Sequence, residues 1–384
     1  MKNRIYLDHA ATTLVHPDVL SAMLPYFADA GANPSSLHAE GRRARAGLDD
    51  ARDRVAALLG VSRKELVFTG SGSEADNQAI IGAARARKVR GRHLLSTAIE
   101  HRAVLHALDA LRDEGFEVTL LPVDERGLID PAAFAGALRA DTILASVAYA
   151  NNEIGVIQPV AQLAAIARER GVLFHTDAVQ AAGWLDVRPR ALGVDLLALS
   201  AHKFCGPKGV GVLYVREGVE VPALIHGGGQ EFGRRSGTEN VAGIVGLAAA
   251  LTRVTEQRAE RALRAGALRD RLERGILERI GDVRVNGQGA PRLPNNCNVS
   301  FAGIDSETVL MRLDLENIAV SAGSACTSGA LEPSHVIAAL GIDPRWHEGV
   351  IRFSLGESTS EGEIDRVLEL LPRITEQRRG RAAK

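Results

Sequence analysis

The segment Leu196-Leu197-Ala198-Leu199-Ser200-Ala201-His202-Lys203 is an apolar run that ends in a hydroxyl, an imidazole and a primary amine, and Gly206-Pro207-Lys208-Gly209 turns the chain directly afterwards. A lysine at the carboxyl end of a strand stands where open α/β sheets bind their ligands. On its own such a residue reads as a surface lysine in a hairpin turn. A second apolar run, Val172-Leu173-Phe174, leads into His175-Thr176-Asp177, with Gln180 close behind. An isolated carboxylate in a dry site costs several kcal/mol and needs a cation, which a protonated pyridine nitrogen would supply. A third run, Leu66-Val67-Phe68-Thr69, turns through Gly70-Ser71-Gly72 into Ser73 and Glu74. Exposed amides and a hydroxyl at a helix start suit an anion, although a plain helix cap is the simpler reading of this segment alone. An amine for a Schiff base, a carboxylate for a pyridine nitrogen and a cup for a phosphate are together what pyridoxal phosphate requires.

These residues need a scaffold, and between about residues 65 and 216 short β-branched runs alternate with Ala/Leu/Arg stretches, the pattern of βαβ units. The expected strands are 66–69, 93–97, 118–122, 142–149, 172–175, 196–200 and 210–215, which make one large α/β domain with a mostly parallel sheet. From about 253 to 280 the i+4 recurrence of Leu268, Leu272, Ile276 and Ile280 predicts one long helix. Further strands at 283–285, 298–301, 319–321 and 351–354, with helices near 306–316 and 362–371, predict a smaller α+β domain. The expected division is a large domain over 14–257 and a small one built from 1–13 and 258–384. The tail from 377 to 384 reads as a frayed basic end.

The chain has 384 residues, 46% of them hydrophobic, enough for a sizeable core and roughly two to three domains. Lys and Arg number 46 against 47 Asp and Glu, so no global positive field gathers nucleic acid or anionic lipid. The longest apolar stretch, 241–251, falls far short of the roughly 20 residues that span a bilayer. Neither an export signal nor a membrane anchor is expected. Three cysteines, Cys205, Cys297 and Cys326, exclude a disulfide scaffold and fit a reducing, cytoplasmic compartment.

With those residues in place, the sequence resembles the class V aminotransferase group of fold-type-I pyridoxal-phosphate enzymes, and within it the cysteine desulfurases of the NifS/IscS kind. The resemblance runs from Tyr6-Leu7-Asp8-His9-Ala10-Ala11-Thr12-Thr13 through Asn33-Pro34-Ser35-Ser36, Thr97-Ala98-Ile99-Glu100-His101, Asn151-Asn152-Glu153-Ile154-Gly155 and Arg235-Ser236-Gly237-Thr238-Glu239-Asn240. It ends with Ser324-Ala325-Cys326-Thr327-Ser328 and Ile351-Arg352-Phe353-Ser354. It implies that Lys203 carries the cofactor and moves the substrate's α proton, that Asp177 pairs with the pyridine nitrogen, and that Gln180 bonds the ring oxygen. His101 would stack on the ring and shuttle a proton. Gly72, Ser73, Ser200 and His202 would hold the phosphate, with Thr238 reaching in from the second subunit of a homodimer. Asn152 and Arg352 would bind the substrate carboxylate, Arg352 as a two-pronged fork.

Cys326 sits in a run of small and polar residues, 321–333, with almost nothing to bury, which predicts a mobile loop over about 321–335. Near neutral pH an unshifted thiol is only about 3% thiolate, so a nucleophile there needs a proton acceptor or a nearby cation. The resemblance implies that Cys326 takes the sulfur of L-cysteine as a persulfide, leaving L-alanine, and that the loop carries it to an iron–sulfur scaffold or another acceptor. About a dozen extended residues folded out and back reach roughly 20 Å. Cluster assembly and tRNA thiolation are both open, as is transient ligation of a cluster by Cys326. A selenocysteine lyase or cysteine-sulfinate-cleaving relative, less dependent on this thiol, and a delivery platform with little turnover of its own are the alternatives. Cys297 reads as a small core residue and Cys205 has no assigned role. Glu357 is an acid expected to alter the electrostatics near Arg352. Ser73 stands where a threonine hydroxyl is usual.

Overall fold

The computed structural model describes residues 4–322 and 334–382, with side chains through 376. Twelve strands occur there: β1 (Ile5–Tyr6), β2 (Leu66–Thr69), β3 (His93–Thr97), β4 (Glu117–Leu121), β5 (Thr142–Ser146), β6 (Leu173–Asp177), β7 (Leu196–Ser200), β8 (Gly211–Val215), β9 (Val283–Val285), β10 (Asn296–Phe301), β11 (Ile318–Ala319) and β12 (Val350–Ser354). Seven of them form one sheet in the order β2-β8-β7-β6-β5-β3-β4. Only β8 runs against its neighbours. The carboxyl ends of β2, β3, β5, β6 and β7 therefore meet at one edge, where α/β sheets bind ligands.

Every strand of this sheet except the edge strand β4 is buried along its length, as expected of a sheet with helices on both faces. One core packs Phe68, Phe174, Leu197 and Leu199 against Val55, Leu247 and Leu251, and a second packs Leu94, Leu144, Leu196 and Leu213 against Ile80, Leu108 and Leu111. Each such side chain contributes about 1.5–3 kcal/mol on burial. A separate core gathers Leu272, Ile276, Val299, Phe301, Ile351, Phe353 and Leu371 around the antiparallel sheet β12-β10-β9. The N-terminal β1 pairs with β11, and Asp8 bridges Ser354, so the first residues join this smaller core.

The long helix expected over 253–280 is two helices, Val241–Glu256 and Arg258–Arg279, separated at Gln257. The first buries Ile244, Leu247, Leu251 and Val254 in the large core, whereas the second buries Leu268, Leu272 and Ile276 in the small one. The last helix, expected to stop near 371, spans Glu361–Ala382 across Pro372. The Thr375 hydroxyl bonds the Leu371 carbonyl at 3.1 Å and Ile374 is buried, so packing offsets the proline and the helix continues to Ala382, where a frayed end was expected. β5 ends at Ser146 instead of 149, although the Val147 and Tyr149 amides still bond the carbonyls of His175 and Asp177.

Candidate active site

A cavity of about 270 Å³ lies at that edge. Its wall includes Ala10, Ala11, Gly72, Ser73, His101, Asn152, Asp177, Gln180, Ser200, His202, Lys203 and Arg352. Ten of the expected site residues thus converge from segments spread over the whole sequence. Thr238 does not belong to this wall; it is exposed elsewhere on the surface. Cys326 lies outside the described residues, together with most of its loop.

Each position follows from local structure. Lys203 closes a single turn after β7, and its Nζ donates to the carbonyls of Ala10 and Ala11 at 2.6 and 2.8 Å. Gln180 Nε2 donates to the same Ala10 oxygen at 2.9 Å. Asp177 is the last residue of β6, and its Oδ1 accepts the Val179 amide at 2.9 Å. Burial foremost raises this carboxyl above its ordinary range, against the pull of His101 and Lys203. A buried acid so placed fits a cationic ring nitrogen.

Beyond β2, Ser71 caps the helix that starts at Gly72, accepting the Glu74 amide at 3.1 Å. A Cβ on Gly72 would lie 2.7 Å from Val179 Cγ2 and 3.1 Å from Ser200 Cβ, so glycine keeps this cup open. Ser73 is exposed at its rim and Ser200 is buried at its floor. His202 Nδ1 lies 3.1 Å from the Thr12 hydroxyl, and burial pushes this imidazole down to about 4.

The opposite wall rests on two turns. Asn151 Oδ1 accepts the amides of Glu153 and Ile154, a side-chain turn that presents Asn152 and Glu153. Gly155 at φ 71° completes it, where a Cβ would also meet Asn296 at 2.7 Å. Arg352, on β12, is almost wholly buried; Nη1 donates to the Asn152 carbonyl at 2.8 Å and Nη2 to Asp8 Oδ1 at 2.9 Å. Glu357, expected beside Arg352, instead pairs with Arg253, Nη1 to Oε2 at 2.6 Å, and lies 3.9 Å from Arg261 Nε. The arginine that balances it belongs to the helix of the large core, so it ties the two cores together rather than tuning the cavity.

Several residues of the site had no role from sequence. Asp76 and Glu153 line the cavity as buried acids; among the described residues Asp76 Oδ1 makes no hydrogen bond and Glu153 Oε1 has no partner. Glu100 accepts the Thr97 hydroxyl at 2.6 Å and the Ala148 amide at 2.9 Å, and burial raises its carboxyl to about 8. His175 bonds Ser146 at 2.8 Å and faces Asp76 at 3.5 Å. Arg102 and His335 also line the wall. The signal for Glu100 and Glu153 was their place inside segments already singled out. Cys297 is buried in β10 as expected, and no group of metal-holding side chains occurs among the described residues.

The class-V aminotransferase family matches residues 5–367. Cysteine desulfurase IscS of Clostridium botulinum is 48% identical over 381 residues, 99% of this chain and 96% of that protein. This chain belongs to the cysteine desulfurases of the class-V aminotransferase family. Its relative from Dictyoglomus turgidum, also a cysteine desulfurase IscS, is 46% identical over 379 residues, 99% of this chain and 96% of that protein. Among solved structures, a NifS-like protein superposes with a TM-score of 0.91 at 38% identity, covering 97% of this chain and all, 100%, of that one. SspA in complex with cysteine superposes at 0.82 with 37% identity, over 92% of this chain and 99% of that chain. The family uses pyridoxal phosphate, and the fold is that of the fold-type-I enzymes.

The residues fit that cofactor. A buried acid without a full counter-charge, an amine on the facing wall and a glycine cup that tolerates no methyl group share one cavity. No helix among the described residues is long and apolar enough to cross a membrane.

Proposed function

We propose that this protein converts L-cysteine to L-alanine and passes the sulfur to its own Cys326. The observation that carries this reading is one cavity with Lys203 and Asp177 on its walls and the buried Arg352 guanidinium beside them. When bound, pyridoxal phosphate supplies an electron sink for the substrate's α-carbon. Lys203 would anchor it, Asp177 would keep its ring nitrogen charged, and Gln180 would bond its ring oxygen. Gly72, Ser73, Ser200 and His202 would hold its phosphate, and Thr238 of a second copy would complete that set in a homodimer.

The substrate carboxylate would meet Arg352 and Asn152, which fixes the amino acid with its α-hydrogen toward Lys203 Nζ. Lys203 would move that proton, and His101 would stack above the ring. Cys326 would attack the substrate sulfur: a sulfur–sulfur bond forms as the carbon–sulfur bond breaks, and a proton returned to carbon gives L-alanine. The persulfide would then be delivered, in the cytoplasm, to an iron–sulfur scaffold or another acceptor such as a tRNA-thiolating protein.

Separately, we propose that residues 14–257 act as the cofactor-binding domain and residues 1–13 and 258–384 as the domain that carries the cysteine loop. The test is alanine production from L-cysteine by the purified holoenzyme. Equal alanine and persulfide are expected, and alanine without persulfide would refute the transfer.

A further inference from the structure

Three imidazoles line the cavity, those of His101, His202 and His335, and their hydrogen bonds give His101 and His335 opposite capacities. His101 caps the helix Arg102–Asp113, where its Nδ1 accepts the Ala103 amide at 3.1 Å. A nitrogen that accepts an N–H holds no proton, so the neutral ring carries its hydrogen on Nε2 and can offer the cavity only a donor. Burial foremost lowers the pKa of His101, with Lys203 and Arg102 adding to it, which favours this neutral form.

His335 opens the helix His335–Ala339, and its Nε2 lies 2.9 Å from the Glu100 carbonyl oxygen. A carbonyl only accepts, so Nε2 carries the hydrogen and Nδ1 the lone pair. That Nδ1 is buried and has no partner among the described residues. His101 at the start of its helix and Glu153 on the turn after β5 interact electrostatically with this ring, and Arg102 and Arg352 lie along the same wall. Glu153 Oε2 takes the Ser334 hydroxyl at 2.5 Å, while Oε1 has no hydrogen-bond partner among the described residues. An acceptor nitrogen beside a carboxyl that can face a positive ring is the arrangement of a base.

We infer that His335 Nδ1 accepts the sulfhydryl proton of the incoming L-cysteine, and that His101 serves this step only as a hydrogen-bond donor. This rests on the function proposed above, in which Lys203 moves the substrate's α proton and the sulfhydryl proton is left for a second base. The S–H bond breaks with its electron pair left on sulfur, an N–H bond forms on Nδ1, and the resulting imidazolium faces Glu153.

The holoenzyme is compared with its His335→Gln variant, because the glutamine amide still donates to the Glu100 carbonyl but offers no lone-pair nitrogen. At neutral pH, kcat/KM for L-cysteine is expected to fall about 100-fold and its acid limb to vanish. His101→Gln is expected to lose rate while retaining that limb. Binding of L-alanine, which has no sulfhydryl, is expected to be unchanged in His335→Gln. An unaltered acid limb, or equal weakening of L-alanine binding, overturns the assignment.

Nitrogen NMR of the wild-type holoenzyme decides independently of turnover. The expected tautomers are unprotonated Nδ1 with protonated Nε2 on both neutral rings, with only the His335 Nδ1 gaining a proton when L-cysteine binds. A protonated His335 Nδ1 before substrate is added contradicts the inference. Absence of alanine from the wild-type enzyme refutes the function proposed above, whereas the tautomers judge His335 alone.

Discussion

Arg352 and Asp8 form a buried ion pair, Nη2 to Oδ1 at 2.9 Å, that ties β12 to the N-terminal segment 344 positions away in sequence. The guanidinium side chain is 2% exposed and the carboxylate 20%. Removing one partner of a fully buried pair costs about 3–5 kcal/mol, because the survivor is left as an uncompensated charge. Asp8 keeps some solvent, so Asp8→Ala is expected to cost about 2–3 kcal/mol in denaturant unfolding. It should also weaken L-cysteine binding, since Arg352 loses one of the two groups that fix its orientation.

A second buried pair braces the strand that leads into the Gly72 cup. Arg52 and Glu231 meet at 2.5 Å with side chains 4% and 2% exposed, and Glu231 also accepts the Phe68 amide of β2 at 2.9 Å. Glu231→Ala is expected to lower stability by about 3–5 kcal/mol and Glu231→Gln by less, since the amide can still accept from Phe68. A melting-temperature series checks the order.

Gly72→Ala tests the cup directly. The added methyl would crowd Val179 and Ser200, and the helix Gly72–Asn77 would shift away. Cofactor affinity is expected to fall at least about tenfold, roughly 1.4 kcal/mol, as measured by equilibrium titration of the cofactor-free protein. The fold should survive, because alanine suits a helix better than glycine.

Stability of the cofactor-free protein should depend on pH from both sides. Burial holds His9 and His202 at about 4 and His175 at about 3, all below the ordinary imidazole value of 6.5. Their contribution is present above 6.5 and is lost as pH falls through that window toward 3. For the fully buried His175 the slope is about 1.4 kcal/mol per pH unit. Glu100 acts oppositely, because burial raises its carboxyl from 4.5 to about 8; its contribution is full below 4.5 and is lost as pH rises through 8. Asp177 is raised for the same reason and adds to the alkaline loss. Denaturant midpoints are expected to peak near neutrality, and Glu100→Gln to remove part of the alkaline decline while leaving the acid one.

Much of the site is legible in sequence because the reactive residues sit at the ends of apolar strands. Asp177, Ser200 and Lys203 each follow a run whose burial fixes where it stops, so strand ends and site coincide. What sequence hides is pairing over distance. Arg352 reads as a solvated strand arginine until Asp8 and the Asn152 carbonyl are seen against it. His335 gains meaning only from the Glu100 carbonyl, 235 positions away. Periodicity misleads where two cores share one stretch of chain: the apolar stripe on either side of Gln257 is continuous in sequence yet serves two different interiors.

In the proposed reaction one chain divides the work between Lys203 and Cys326. Its most direct test is mass spectrometry of the Cys326 peptide after the holoenzyme meets L-cysteine without an acceptor, with alanine measured in the same sample. One added sulfur on Cys326 and an equal amount of alanine are expected in the wild type, and neither in Lys203→Ala. Undiminished alanine from Cys326→Ala, or an unmodified Cys326 beside abundant alanine, would contradict the account.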